Sequence, residues 1–321
     1  MYDILILGSG TAGLSAAIYA RRFELKTLVL GDVPGGTIIQ THLVENYPGY
    51  QSLTGLELGQ KFIAHAENLA TEMQNQTVTA ITKNSSGFLV QTSTQNFSTK
   101  TLVFATGTKH RRLAIPGEKK LEGRGVSFCA TCDAPFFREQ TTAIIGGSDS
   151  AVKEALVLAK HAQKVFLIYR GAKLRAEPIN LRRMENDPKI EPILNEEITE
   201  IFGENKVTGV QLKSGSKLDL TGVFIEIGRL PKTELAVSLG LALNAKKEIK
   251  IDRASRTSIP GVFAAGDCTA SDFKQAITAA AEGAHAANSA FDFLSKKPTP
   301  AQQLLQRIQL FGKFKFLAPF L

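Results

Sequence analysis

The stretch "YDILILGSGTAGLSAAIYARRF", Tyr2 to Phe23, decides the fold. Tyr2 to Leu7 is mostly apolar and short, as a buried strand should be, and the small residues after Thr11 suit a helix packed closely on a sheet. Between them Gly8, Gly10 and Gly13 stand in G-x-G-x-x-G spacing, and "KTLVLGD" from Lys26 supplies the next strand. In this strand–turn–helix setting the first glycine makes the tight turn, the second admits a pyrophosphate, and the third lets helix and sheet approach. The phosphates would sit at the head of the helix, where unpaired N–H groups point outward.

The same architecture recurs from Thr141: "TTAII" as strand, "GGSDSA" as turn, "VKEALVLAKHA" as helix and "KVFLIYR" as the following strand. Two such units imply two nucleotides, most naturally a flavin that stays bound and a nicotinamide that exchanges. Three further short strands, in "LVFATGT", "GVFIEIGR" and "GVFAAGD", each end in a glycine beside a polar residue, at the sheet edge where ligands bind. The order of the pieces predicts an α/β protein of two Rossmann-like, three-layer ββα dinucleotide-binding domains, the second inserted into the first. Residues 1–113 and 242–321 would form the first and residues 114–241 the second, with crossings near "IPGE" (Ile115–Glu118) and "GLALNAKKEIKID" (Gly240–Asp252).

At 321 residues the chain has room for two cores, and 43% apolar with 21% charged residues describes a soluble α/β protein. No apolar run is long enough for a bilayer, and the first strand begins too early for a secretion signal, so a cytoplasmic location is expected. The net charge of +8 favours acidic or phosphorylated partners, but the basic residues are scattered without interleaved aromatics, which argues against nucleic acid.

Only three cysteines occur, and two lie together in "FCATCDAPFF", Phe128 to Phe137. Cys129 and Cys132 supply two of the four ligands a zinc site needs, no second pair exists, and the five histidines form no H-x-x-x-H group, so no metal is expected. A staple over two intervening residues would remove little chain entropy. Redox exchange remains: one thiolate attacks and its neighbour resolves the mixed disulfide, with Asp133 placed to exchange a proton. Cys268 reads as a small buried hydrophobe.

The series "GSGTAG", "PGGTI", "VENYPG", "FATGT", "FCATCD", "IGGSDSA", "EIGRLP" and "GVFAAGD…FKQA" covers nearly the whole chain and resembles the low-molecular-weight, bacterial-type thioredoxin reductases, which are flavoproteins. The resemblance implies FAD held by Gly8, Gly10, Gly13, Gly35, Gly36 and Thr37, by Asn46, Thr106 and Gly107, and by Gly266, Asp267, Lys274, Gln275 and Ala276. It implies NADPH at Gly146, Gly147, Ser148, Asp149, Ser150, Arg170 and Arg175. It further implies that Cys129 and Cys132 pass electrons from flavin to thioredoxin, Cys132 facing the flavin and Cys129 attacking thioredoxin. A homodimer and a rotation of the inserted domain complete what it implies.

The chain departs from the family at informative places. Ser148 stands where the fingerprint has its middle glycine, and "YRGAKLR" keeps Arg170 and Arg175 but places Tyr169 and Gly171 where the NADPH motif has His and Arg. Arginine suits a 2′-phosphate because its planar fork bonds two oxygens, so NADPH leads, with ferredoxin or another carrier as the alternative donor. A flavin-dependent redox sensor is the non-enzymatic alternative. Thr37 replaces a common Gln, and from Pro298 the chain adds "PTPAQQLLQRIQLFGKFKFLAPFL", expected to pack on the first domain or a dimer partner, or to act as a flap or docking element.

Overall fold

The computed structural model describes residues 1–295, so the extension from Pro298 lies outside the described residues. The chain opens with β1 (Tyr2–Leu7), α1 (Thr11–Arg22) and β2 (Thr27–Leu30), then a 3-10 turn over Gly36–Gln40 and α2 (Gly55–Asn68). Thr54 and Glu57 cap α2 reciprocally, which fixes where that helix starts. Four strands follow: β3 (Glu72–Gln74), β4 (Val78–Asn84), β5 (Gly87–Thr92) and β6 (Asn96–Phe104). The sheet runs β3-β2-β1-β6-β5-β4. β6 is long enough to serve twice, its first half pairing antiparallel with β5 and its last residues parallel with a strand from near the end of the chain.

Beyond β6, β7 (Thr108–His110) leads out of this sheet into a second unit. There follow β8 (Val126–Ser127), α3 (Ala130–Asp133), β9 (Thr141–Ile145), α4 (Asp149–Ala159), β10 (Lys164–Tyr169), α5 (Pro178–Glu185) and β11 (Ile190–Leu194). Next, β12 (Ile198–Phe202), β13 (Gly209–Leu212) and β14 (Lys217–Asp219) form an antiparallel flap, before β15 (Gly222–Ile225). The second sheet is all parallel, in the order β11-β10-β9-β15-β8. Its inner strands β9 and β15 are covered on both faces and accordingly read as near-continuous apolar runs rather than alternating ones.

The chain returns through β16 (Arg229–Pro231), which pairs antiparallel with β7, so exit and re-entry lie side by side. The described residues close with α6 (Glu234–Leu239), β17 (Val262–Ala264) and α7 (Ala276–Ser295). Ala236 of α6 and Leu241 pack into the core of the first sheet with Leu5, Phe88 and Leu102, ahead of the return expected at 242. Their apolar side chains follow the nearest core, and the β7–β16 ribbon has already brought the chain back to it. α7 lies along α1 on small residues; a Cβ at Gly283 would strike the Ala12 carbonyl, and Ser15 Oγ donates to Ala280 O at 2.6 Å.

The strand order therefore reverses between β1 and β6 in the first sheet and between β9 and β15 in the second. Ligands of open α/β sheets bind at such points, outside the carboxyl ends of the strands. Among the described residues no helix is long and apolar enough to cross a membrane, and no group of three or more metal-ligating side chains occurs.

Candidate functional site

At the first switch point, backbone meets backbone. Gly8 has φ +112°, and a Cβ there would overlap the Ala105 carbonyl; a Cβ at Gly13 would overlap the Gly8 carbonyl. Gly10 bridges to Gly35, and Gly36 lies against Gly10. Gly10 precedes α1 and offers it no side-chain cap, and the first turn holds no acid, so no side-chain charge or cap competes for the leading N–H groups. This cradle, held open by the absence of Cβ atoms, fits the pyrophosphate of a dinucleotide such as FAD.

The other expected flavin residues fall around it. Thr106 and Gly107 follow β6 at the same edge, with Thr106 Oγ1 donating to Lys232 O at 2.6 Å. Thr37 is exposed on the 3-10 turn. Asn46 meets Gln275, its Nδ2 donating to Gln275 Oε1 at 3.2 Å, beside Ala276 at the start of α7. Gly266 is fixed by its N–H to Glu282 Oε2 (2.7 Å), and burial pushes the Asp267 carboxyl up, with Lys274 and Arg229 working against it. Lys274 is engaged by Glu248 at 2.8 Å and by the carbonyls of Asp267 and Thr269. Asp267 and Lys274 line a cavity of about 270 Å3 together with Thr108, Arg229 and Ser150, so residues expected at both nucleotides reach one space.

The second cradle is built differently. Gly146 repeats the role of Gly8, with φ +152° and a Cβ position that would overlap the Glu226 carbonyl. Here, however, the Tyr169 ring lies directly over Gly147, where any Cβ would collide with it, and Ser148 bridges to Arg175. Asp149 brings an acid into the first turn of α4, where it accepts from Glu177 N (3.0 Å) and Asn180 Nδ2 (2.9 Å) and pairs with Lys153 (2.8 Å). Burial opposes its charge, but these three partners outweigh it and hold the carboxyl below its ordinary range. Ser150, Arg170 and Arg175 are exposed, with the Arg175 guanidinium 5.9 Å from the centre of the Tyr169 ring. The head of α1 is thus better prepared for an anion than that of α4. Tyr169's place over the loop follows from tertiary packing, and only its position at the end of the second strand could have signalled it.

Cys129 and Cys132 form a disulfide at the start of α3. Cys132 is exposed and Cys129 half-buried. The Cys132 N–H donates to Cys129 Sγ at 3.2 Å, a contact that stabilises a thiolate on Cys129 once the bond opens. Asp133 Oδ2 accepts from Ser127 Oγ at 2.6 Å, and Ser127 Oγ in turn accepts the Cys129 N–H at 3.1 Å. No local pattern in the sequence marks Ser127; it ties the expected proton-exchanging acid to the first cysteine. Cys268 is fully buried, and its burial pushes the thiol up.

The two units touch through the segment around Asn46. Arg183 of α5 bonds Glu45 with both nitrogens, at 2.6 and 3.0 Å. Lys160 Nζ reaches His42 Nε2 at 2.9 Å; burial, and then the Lys160 and His161 charges, keep that imidazole neutral and able to accept.

Two glycine cradles and a disulfide on the second unit are the parts expected of a disulfide oxidoreductase of the two-nucleotide class. A family model described as pyridine nucleotide-disulphide oxidoreductase matches residues 2–283, and the chain belongs to that family. It is 41% identical over 305 residues to the thioredoxin reductase of Mycolicibacterium smegmatis, covering 92% of this chain and 98% of the relative. Against that of Listeria innocua it is 37% identical over 303 residues, covering 92% and 95%. The solved structure of Lactococcus lactis thioredoxin reductase in its FR conformation matches with TM-score 0.89 at 40% identity, over 92% of this chain and 99% of that one. Within the family the chain is a member of the thioredoxin reductase branch.

Proposed function

We propose that the protein reduces the disulfide of thioredoxin or a thioredoxin-like protein with electrons from NADPH, carried by FAD and the Cys129–Cys132 pair. The observation that carries this reading is the disulfide itself, exposed at Cys132 and wired through Ser127 to Asp133 on the unit that also bears the second cradle. FAD, when bound, supplies a two-electron carrier between nicotinamide and disulfide. The chain's own residues do the rest. The Gly8–Gly13 turn and the head of α1 hold the pyrophosphate, and Asp267 faces the shared cavity. The Cys132 N–H favours Cys129 as the thiolate that attacks thioredoxin, leaving Cys132 to face the flavin. Asp133, fixed by Ser127, exchanges the proton.

A homodimer, a cytoplasmic location and an inserted second domain are part of the same proposal. So is a rotation of the second unit, since the same two sulfurs must meet a buried flavin and then a protein surface. Rotation from the present arrangement breaks the Glu45–Arg183 pair, which water already screens, so its loss sets only a small barrier. A bifunctional thiol cross-linker joining Glu45→Cys to Arg183→Cys, applied while Cys129 and Cys132 are protected by their own bond, should slow thioredoxin reduction at least about tenfold. Full-rate turnover by the cross-linked protein would refute the rotation.

The donor is tested by adding NADPH anaerobically and following the flavin absorbance, which should bleach. The Tyr169 ring over Gly147 favours a second reading, in which a carrier such as ferredoxin feeds the flavin. Absence of bleaching with NADPH and NADH, together with bleaching by reduced ferredoxin, would select it.

A further inference from the structure

Behind the disulfide lies a pair of acids that the dithiol reaction does not use. Glu226, immediately after β15, is buried and Glu154, on α4, is half-buried, and each has a carboxyl oxygen shut away from water without a hydrogen-bond partner, Glu226 Oε1 and Glu154 Oε2. An unpaired carboxylate in such a place is costly, and two close together more so; the pair avoids the cost by keeping a proton. Burial raises both carboxyls well above their ordinary range; the Glu226 charge raises Glu154 further, and Arg229 works in the opposite direction on both.

The pair touches the redox segment from two sides. Ala130, directly after Cys129, lies in one core with Ala151 and Ala155 of α4, the helix that carries Glu154. On the other side His110 Nδ1 lies 3.5 Å from Glu226 Oε1, and the His110 ring packs on Phe128, directly before Cys129, at 5.5 Å between centres. Burial, and then the Arg229 and Arg112 charges, lower His110 to about 4, so it stands neutral and makes no ion pair with Glu226. The remaining charged neighbours are already engaged: Asp133 by Ser127, and Asp149 and Lys153 by one another. Arg229, at the start of β16 just beyond Glu226, is the cation whose charge acts on both acids.

We propose that Glu154 and Glu226 form a proton-holding pair that balances the charge of the reduced dithiol. The inference rests on the reading of Cys129–Cys132 as the redox pair. Reduction by a small dithiol breaks the Cys129–Cys132 bond and oxidises the reductant to its own disulfide. It leaves one Cys thiol, one Cys thiolate and one proton. The new negative charge raises the affinity of the neighbouring acids for a proton, and they take up the one released. Glu154 and Glu226 are therefore positioning residues, acting on the sulfurs through charge rather than touching substrate.

The test is the equilibrium of the flavin-loaded protein with reduced and oxidised dithiothreitol, from mildly acid to mildly alkaline pH, the free thiols being counted after alkylation. In acid both carboxyls are neutral, so Glu226→Gln should match the parent. In alkali the parent carries a buried negative charge that opposes the thiolate, and Glu226→Gln should hold about tenfold more dithiol, equal to about 30 mV. Glu226→Asp should restore the parent's pH dependence. Superimposable curves for parent and Glu226→Gln, with the disulfide titrating normally, would overturn the pair's role while leaving the redox reading intact. A disulfide that does not exchange at any pH would overturn both. Infrared difference spectra of the parent on reduction provide a measurement that does not depend on the variant's folding. A protonated-carboxyl band should change in the parent and not in Cys132→Ser, and its constancy in the parent would also overturn the proposal.

Discussion

Replacing Cys132 by Ser should lower thioredoxin reduction by roughly a thousandfold or more, as loss of a covalent participant does, while the protein keeps its flavin and its fold. The disulfide lies at the head of α3, and Ser can still occupy an exposed helical position, so nothing in the packing predicts destabilisation. Cys129→Ser should be equally inactive in turnover but differ in detail. It removes the sulfur that receives the Cys132 N–H, and with it the thiolate assigned to attack. Cys132→Ser should trap thioredoxin as a mixed disulfide through Cys129, visible as an added mass on a non-reducing gel. A trap formed by Cys129→Ser instead would reverse the two assignments. Appreciable turnover by either variant would remove the pair from the electron path.

Gly8→Ala should be the most damaging single change away from the cysteines. The residue sits at φ +112°, a backbone conformation that L side chains rarely adopt, and the added Cβ would overlap the Ala105 carbonyl. Strain and steric overlap together should cost about 3 kcal/mol or more and push apart β1 and β6, between which the pyrophosphate cradle opens. The expected result is a purified protein with little bound flavin and an unfolding midpoint at clearly lower urea. A Gly8→Ala protein with normal flavin content and stability would mean that the turn after β1 is not the cradle. Gly49 makes a useful contrast: it too has positive φ, but nothing surrounds its Cβ position, so substitution there costs backbone strain alone.

Much of this is legible in the sequence because its elements are local. Tyr2–Leu7 and Thr141–Ile145 are apolar runs ending in glycine turns, and each glycine turn is followed by a helix of small and apolar residues; both signals lie within a single stretch of chain. The CxxC spacing is likewise local. The antiparallel β4–β5–β6 and β12–β13–β14 segments leave a weaker trace, since their alternation is short and interrupted by bulges between Val78 and Ala80 and between Ile198 and Glu200. The placement of α6 depends on which core its apolar face meets, which no local pattern records. At the site, Asp133 could be nominated by adjacency, but Ser127, Tyr169 and the Glu154–Glu226 pair act through neighbours that no local spacing reveals. Glu226 sits in "GVFIEIGR" as an ordinary acid; only the pairing of β15 with β9 sets it beside Gly146 and Ala151, at the head of the helix that carries Glu154.

The central claim is that Cys129–Cys132 is a second electron station beyond the flavin, and counting electrons tests it without assuming a donor. Anaerobic titration of the flavin-loaded protein with dithionite should consume about four electrons per chain, two for the flavin and two for the disulfide, and about two in the Cys129→Ser, Cys132→Ser double variant. An uptake of only about two electrons by the parent protein would contradict the account.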